Sequence, residues 1–495
     1  LDVDSDLITI RGADKEGLYY AVQTLLQLIN CDSNILEIPG VTIRDWPYKR
    51  YRGVHIYLPA REEIPFFKRF IELISSYKMN LAFVDLAGGM EFQRHPEINS
   101  RWVEYLFEWK DTHIGSRPHT GVSGDGYLTK KEVRELLEFM RAHNIEPVPE
   151  VQTFGHNDWM LQSHKELAET QGDPFPVNYC PSNPKTYELV EDIIDEVIEV
   201  FGSDWIHIGH DEIKDIALCP LCREKTGAEL LAEDVTKLHG YLKERGLKTV
   251  MWGDKLLNFV AANGRTYGGI ERTWFDDSAG KDRWTAATYG AIDMIPNDIL
   301  IADWYWSLYP KTEDQFGERG FEVLFGNFYG PNFIDWAQRS SKDFIKGGAV
   351  SMWAPMTEFD LGRDGKTFCT LYSANMLWSD SYTDSDWDEI CIKLSSELHK
   401  ARMRLNPDGS SIFNVDEIKE EQLIPITLND PTDTLSIIST GDESVGSLPL
   451  SSRVKSYIST FIRKDAIPYI AVPFNKDEIS QIGRATCRER VSISV

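Results

Sequence analysis

A chain of 495 residues with 78 acidic against 52 basic side chains carries a formal charge of -26 at pH 7, which repels nucleic-acid phosphates and offers little to an anionic membrane surface. Its 42% hydrophobic and 26% charged residues are those of a globular protein, and no apolar run approaches the length of a membrane span. The length asks for two or three domains, or for one large barrel with smaller flanking pieces.

The chain opens on Leu1 with neither an initiator Met nor a signal-like apolar segment, so its numbered start reads as a processed or interior end, and the compartment stays open. Residues 6–11 read as a short strand. A helix follows with Leu18, Ala21, Leu25 and Leu28 along one stripe. Together they predict a partial α/β domain over residues 1–45, joined to the rest across 44–51, where Pro47 breaks any regular element.

From residue 46 to 404 the pattern repeats as apolar run, loop and amphipathic helix. Strands are predicted at 53–58, 80–86, 145–151, 204–208, 249–252, 299–304, 323–328 and 349–353, and helices at 62–77, 129–143, 184–201 and 228–245. Thr129 and Glu132 have capping-box spacing, and Gly246 stands where a glycine would end the last of these helices. Eight apolar strands separated by helices predict an α/β fold, a closed parallel (β/α)8 TIM barrel, with the sixth and seventh crossovers least defined because 264–293 has no clear period. Beyond 404 the texture changes: 406–409 reads Asn-Pro-Asp-Gly, and 421–438 alternates β-formers with Pro and Asp, the expected start of a small β-rich extension over 405–495. Residues 482–491 resemble translated adapter sequence, with an ordinary polar tail as the alternative.

Functional groups of such barrels gather at the C-terminal ends of the strands. The polar and aromatic residues expected there are His55 and Tyr57, Asp85, Glu150 and His156, His207 and His210, Trp252 and Asp254, Asp303, Trp304 and Trp306, Asn327 and Tyr329, and Trp353 with Glu358. At the fourth strand, 205–212 runs a buried strand directly into Asp211 and Glu212. Adjacent carboxylates leave an extended backbone in different directions, and their repulsion raises at least one pKa, as a general acid near neutral pH requires. Glu212 is the expected raised member. The alternative is a helix N-terminus, where acidic residues favour the dipole.

His207-Ile208-Gly209-His210-Asp211-Glu212 resembles the His-x-Gly-Gly-Asp-Glu signature of glycoside hydrolase family 20, the β-N-acetylhexosaminidases. Arg52-Gly53-Val54-His55 is similar to the family's first-strand Arg-Gly segment, residues 150–156 to its Glu-Ile-Asp-x-Pro-Gly-His run, and Trp252 to its fifth-strand tryptophan. Residues 12–25 resemble the end of the small α/β domain that precedes the family's barrel. The resemblance covers about residues 6–400. It implies an exo-acting retaining hydrolase of terminal 2-acetamido-2-deoxy-β-hexosides, acting on an amino sugar of an oligosaccharide or glycoconjugate, in which the substrate's own acetamido oxygen is the nucleophile. In that scheme Asp211 orients the acetamido group and Glu212 is general acid, then base. Arg52 and Glu358 would hold sugar hydroxyls; Trp252, Trp304, Trp306, Tyr329 and Trp353 would line the pocket with His156; and His55, Asp85, Glu150, His207 and His210 would support the pair from behind. No metal or cofactor is implied. A non-catalytic carbohydrate-binding barrel is the alternative from a different class, and a metal-dependent barrel hydrolase using His55, Asp85, Glu150 and His207 a weaker one.

The departures from the signature fall around the pocket. His210 replaces the second glycine, Tyr57 a first-strand Asp, Asp85-Leu86-Ala87-Gly88-Gly89-Met90 the usual His-x-x-Asp-Asp-Gln, and Trp353-Ala354-Pro355 the usual Trp-x-Glu. Chemistry at the anomeric carbon is thus expected to be kept and the reading of the outer hydroxyls rebuilt. Seven cysteines are too few and scattered for a disulfide framework. Cys219 and Cys222 form a Cys-x-x-Cys pair, readable as a reduced loop pair, a local disulfide, or half a zinc site to which Cys180 and a His could add.

Overall fold

The computed structural model describes residues 1–407 apart from 33–34, 116–117, 123–125, 262–263, 277–279, 310, 330–334, 364 and 384–385, together with the strands Thr434–Ile438 and Ser444–Pro449. Eight strands form a closed parallel barrel: β1 (Tyr51–Tyr57), β2 (Leu81–Asp85), β3 (Glu146–Thr153), β4 (Trp205–Gly209), β5 (Lys248–Trp252), β6 (Leu300–Asp303), β7 (Glu322–Phe325) and β8 (Ile345–Ser351). Closure comes where β8 pairs with β1, from Gly347 opposite Tyr51 to Ser351 opposite His55. The (β/α)8 barrel expected from the alternation is therefore the fold.

Strand alternation sorts the side chains into two cores. Val54, Ile56, Ala82, Val84, Ile206 and Ile208 face outward against the helices, whereas Phe83, Val148, Val250, Leu300, Leu324 and Ala349 fill the interior. The helix Ile64–Ser76 buries Phe67, Phe70 and Ile74 completely on its apolar stripe, each contributing about 1.5–3 kcal/mol. Both halves of the Thr129–Glu132 capping box are present ahead of Lys130–Ala142, and Thr226 with Glu229 repeats the motif ahead of Gly227–Glu244.

Three features differ from the expectation. A helix at Pro96–Thr112 precedes Lys130–Ala142 in the same crossover, burying Ile98, Trp102, Tyr105 and Leu106. Between β5 and β6 the chain forms two antiparallel hairpins, Asn258–Val260 with Thr266–Gly268 and Arg272–Asp276 with Lys281–Thr285, which accounts for the missing helical period there. Among the described residues the α-helices of the next two crossovers are the short Thr312–Gly317 and Trp336–Ser340.

Ahead of the barrel, Asp2–Val3 pairs with Ile8–Thr9 and with Val41–Thr42, beside the helix Lys15–Leu28 capped by Asp14. Of the region past 407, Thr434–Ile438 and Ser444–Pro449 pair as an antiparallel hairpin. The rest, including 482–491, lies outside the described residues. No helix among those described is long and apolar enough to cross a membrane.

Candidate active site

At the C-terminal ends of the strands the backbone is forced into conformations that ordinary residues avoid. After β4, Gly209, His210 and Glu212 have φ of +73°, +73° and +45°; after β3, Phe154 and His156 have +61° and +48°; after β7 and β8, Asn327 and Trp353 have +46° and +50°. Each non-glycine residue held there costs about 1–3 kcal/mol, and such strain gathers at functional sites. The turn after β4 separates three neighbours. His210 swings into the helix layer, where Nε2 pairs with Asp234 Oδ2 at 2.8 Å and Nδ1 lies 3.1 Å from Thr153 Oγ1. Asp211 is buried, whereas the Glu212 side chain stays 46% exposed.

His156 bridges the two acids, its Nε2 lying 3.4 Å from Asp211 Oδ2 and 3.4 Å from Glu212 Oε2. Their proton affinities diverge, but opposite to the sequence expectation. Burial pushes the Asp211 carboxyl up to about 7, against the pull of His156 and with help from Asp254 and Glu150. The His156 ring 3.4 Å away, backed by Lys214 and Lys255, holds Glu212 well below the carboxylate range. Glu212 is thus the depressed member in the free protein, because the neighbour that decides its charge comes from β3 and not from Asp211. The Glu212 N–H donates to Asp254 Oδ2 at 3.1 Å, which fixes the strained turn.

Below the pair lies a polar floor inside the barrel. Glu150, fully buried, accepts from Trp252 Nε1 at 2.7 Å and Gln152 Nε2 at 3.0 Å, and its other oxygen lies 2.8 Å from His55 Nε2. Burial alone would raise its pKa, but His207, His55 and Trp252 bring it below the ordinary value. His207 is driven down by burial to about 4 and is neutral at pH 7. Asp85 is raised by burial, then by Glu150 and Asp211. His55, Asp85 and Glu150 bring ligand atoms within 4.8 Å of one another, yet Glu150 already serves the tryptophan and glutamine.

Aromatic groups wall this floor. Trp252 packs 5.6 Å from Trp353, ring centre to ring centre, and Trp353 4.4 Å from His55, while Trp353 Nε1 donates to Asn327 Oδ1 at 2.7 Å. Half-buried Trp304 stacks on Tyr305 at 4.2 Å and brings its indole beside Asp254. Tyr329 lies at the same rim, its hydroxyl donating to Ser351 O at 2.9 Å.

Three expected sugar contacts lie elsewhere. Arg52 stands at the N-terminal end of β1, the opposite end of the barrel, and is fully engaged there: Nε donates to Lys78 O, Nη1 to Lys49 O and Nη2 to the Tyr20 hydroxyl, at 2.7–2.9 Å. Trp306 follows a strand that ends at Asp303, so strand alternation no longer governs it. It is buried against Phe325 and Trp336 with Nε1 on Gly326 O. Glu358, at the start of a helix, pairs with Arg402 of the helix Trp387–Leu405 at 2.6 Å.

The site also contains residues to which the sequence reading gave no role. Asp254 was legible from its place after Trp252. Lys255, buried beside Asp254, and His119, whose ring stacks on His156 at 4.4 Å, carried no such signal, since His119 lies in a loop without period.

The family description "Glycosyl hydrolase family 20, catalytic domain" matches residues 50–380, and "Glycosyl hydrolase family 20, domain 2" matches residues 1–46. A beta-hexosaminidase of Vibrio furnissii is 26% identical over 385 residues, covering 73% of this chain and 56% of that protein, and a beta-hexosaminidase of Akkermansia muciniphila is 25% identical over 286 residues, covering 55% and 54%. The chain spans about half the length of these curated relatives. Among solved structures, a beta-N-acetylhexosaminidase from Bacteroides fragilis superposes with a TM-score of 0.59 at 20% identity, covering 81% of this chain and 82% of that one. The catalytic-domain match over 50–380 takes in more than half of the chain, and the chain belongs to glycosyl hydrolase family 20.

Proposed function

We propose that this protein is an exo-acting, retaining β-N-acetylhexosaminidase that cleaves terminal 2-acetamido-2-deoxy-β-hexosides by substrate-assisted catalysis. The observation that carries the reading is the unequal pair: a buried Asp211 and an exposed Glu212, both 3.4 Å from His156. The naming of relatives as beta-hexosaminidases points the same way.

In the free protein Asp211 holds a proton more tightly than Glu212 does. A bound acetamido N–H gives Asp211 a donor and lowers its carboxyl, while the aglycone covers Glu212 and raises its own. The proton then belongs on Glu212, and His156 touches both ends of that transfer. Glu212 protonates the glycosidic oxygen as its bond to C1 breaks, and the acetamido carbonyl oxygen attacks C1 to form an oxazolinium ion. Asp211, now ionised, faces the N–H and the positive charge. Water, deprotonated by Glu212, attacks C1 and returns the β configuration. Trp252, Trp304 and Trp353 exclude competing water from the acetamido oxygen.

Glu212→Gln tests the assignment. With an aryl 2-acetamido-2-deoxy-β-glycoside, kcat is expected to fall by about 10²–10⁴-fold. Unchanged release would overturn it.

A further inference from the structure

Seven residues beyond Glu212, three cysteine sulfurs and a carboxylate converge in the protein interior. Cys180 Sγ lies 3.4 Å from Cys219 Sγ and 3.5 Å from Cys222 Sγ, and a Glu169 oxygen completes a group whose four ligand atoms are all within 4.8 Å of one another. All four residues are at most 7% exposed. We propose that Glu169, Cys180, Cys219 and Cys222 form a structural zinc site that fastens the loop after β3 to the loop carrying Asp211 and Glu212.

The separations distinguish this from the other cysteine chemistries. A disulfide requires about 2.05 Å between sulfurs. Sulfurs bound at about 2.3 Å to a tetrahedral zinc stand about 3.8 Å apart, so the observed spacing needs only a small outward adjustment. Three sulfurs cannot all pair in one disulfide, and a buried carboxylate turned on thiols has no use for one. Glu169 is prepared as a ligand. Its Oε1 accepts the N–H groups of Leu218 at 2.7 Å and Cys219 at 3.0 Å, while Oε2 is buried with no hydrogen-bond partner among the described residues. A buried carboxylate oxygen left in that state is destabilising unless something meets it. The Cys219–Cys222 turn is tightened by the N–H groups of Cys222 and Arg223, both on Cys219 O at 3.0 Å. Soft thiolates select zinc over harder divalent ions, and four buried protein ligands leave no position for a reacting water.

The consequence reaches the catalytic loop. Between β4 and the helix Gly227–Glu244 the chain has no other helix or strand, and Asn178, near Cys180, already accepts from the N–H groups of Lys214 and Asp215. A metal would add a second clamp between the same two loops, with the four residues positioning Glu212 and touching no substrate. Metal content tests this independently of activity. The 495-residue chain, purified after zinc supplementation and gel filtration, is expected to hold about one zinc per chain, and cobalt exchanged into it should show thiolate-to-cobalt charge transfer. Cys222→Ser should lose the metal, and Cys391→Ser, a cysteine outside the cluster, should keep it. If Cys222→Ser does not fold, the cobalt spectrum of the wild type decides alone. Absence of zinc and of the charge-transfer band after incubation with zinc or cobalt, or a disulfide within the Cys180, Cys219 and Cys222 set by mass spectrometry, would overturn the proposal.

Discussion

The two ends of this barrel both bury charge, and they treat it in opposite ways. At the N-terminal end, Arg52 has its guanidinium satisfied by three carbonyls and a hydroxyl, with Tyr20 and Trp378 about 5 Å away as aromatic neighbours. At the C-terminal end, Asp211 Oδ1, Gln152 Oε1 and His207 Nε2 are buried without a hydrogen-bond partner among the described residues, on a backbone bent through left-handed residues. Burying a polar group is harmless once it is paired and costly when it is not. The N-terminal end is therefore built for stability, and the C-terminal end holds polar atoms whose natural complement is a ligand.

Arg52→Met should separate the two ends most sharply. It strands four acceptors, so a loss of about 3 kcal/mol or more in unfolding free energy is expected from denaturant melts, with kcat per folded molecule unchanged. A raised KM at unaltered stability would return Arg52 to the sugar site.

Asp211→Asn is expected to show the converse, stability gained at the expense of activity. Burial lifts the Asp211 carboxyl from 3.8 to about 7, so folding favours its neutral form. That contribution is complete below about pH 4 and is lost as pH rises through 7, a difference on the order of 4 kcal/mol. The asparagine is neutral throughout, so its Tm advantage should be absent near pH 4, grow up to about pH 7 and then level off. A difference independent of pH would mean that the carboxyl is not raised.

A smaller effect is expected at His156, whose positive charge lowers both acids. In His156→Asn both limbs of the kcat/KM profile should move to higher pH. Unmoved limbs would remove His156 from the proton path.

The barrel was legible because its strands are short apolar runs and its helices carry readable caps, as at Thr129 and Glu132. The helix Pro96–Thr112 carries a readable stripe in Ile98, Trp102, Tyr105 and Leu106, whereas the hairpins after β5 have no helical period to read. Asp211, Glu212 and Trp252 were found because a strand end fixes their place. Arg52 was misplaced although strand direction alone puts it at the wrong end: at about 3.3 Å per residue it lies roughly 16 Å from the last residue of β1. Trp306 failed because β6 stops at Asp303, and Glu358 because its partner Arg402 is 44 residues away in sequence. The order of the two pKa values was beyond sequence, since His156 reaches the pair from another strand.

The central claim is that the substrate's acetamido group attacks the anomeric carbon. Its most direct measurement compares kcat/KM for an aryl 2-acetamido-2-deoxy-β-hexoside with that for the matched glycoside bearing a 2-hydroxyl, taking whichever of the gluco and galacto series is cleaved faster. The account predicts a loss of at least about 10³-fold without the acetamido group. Equal rates on the two substrates would contradict it.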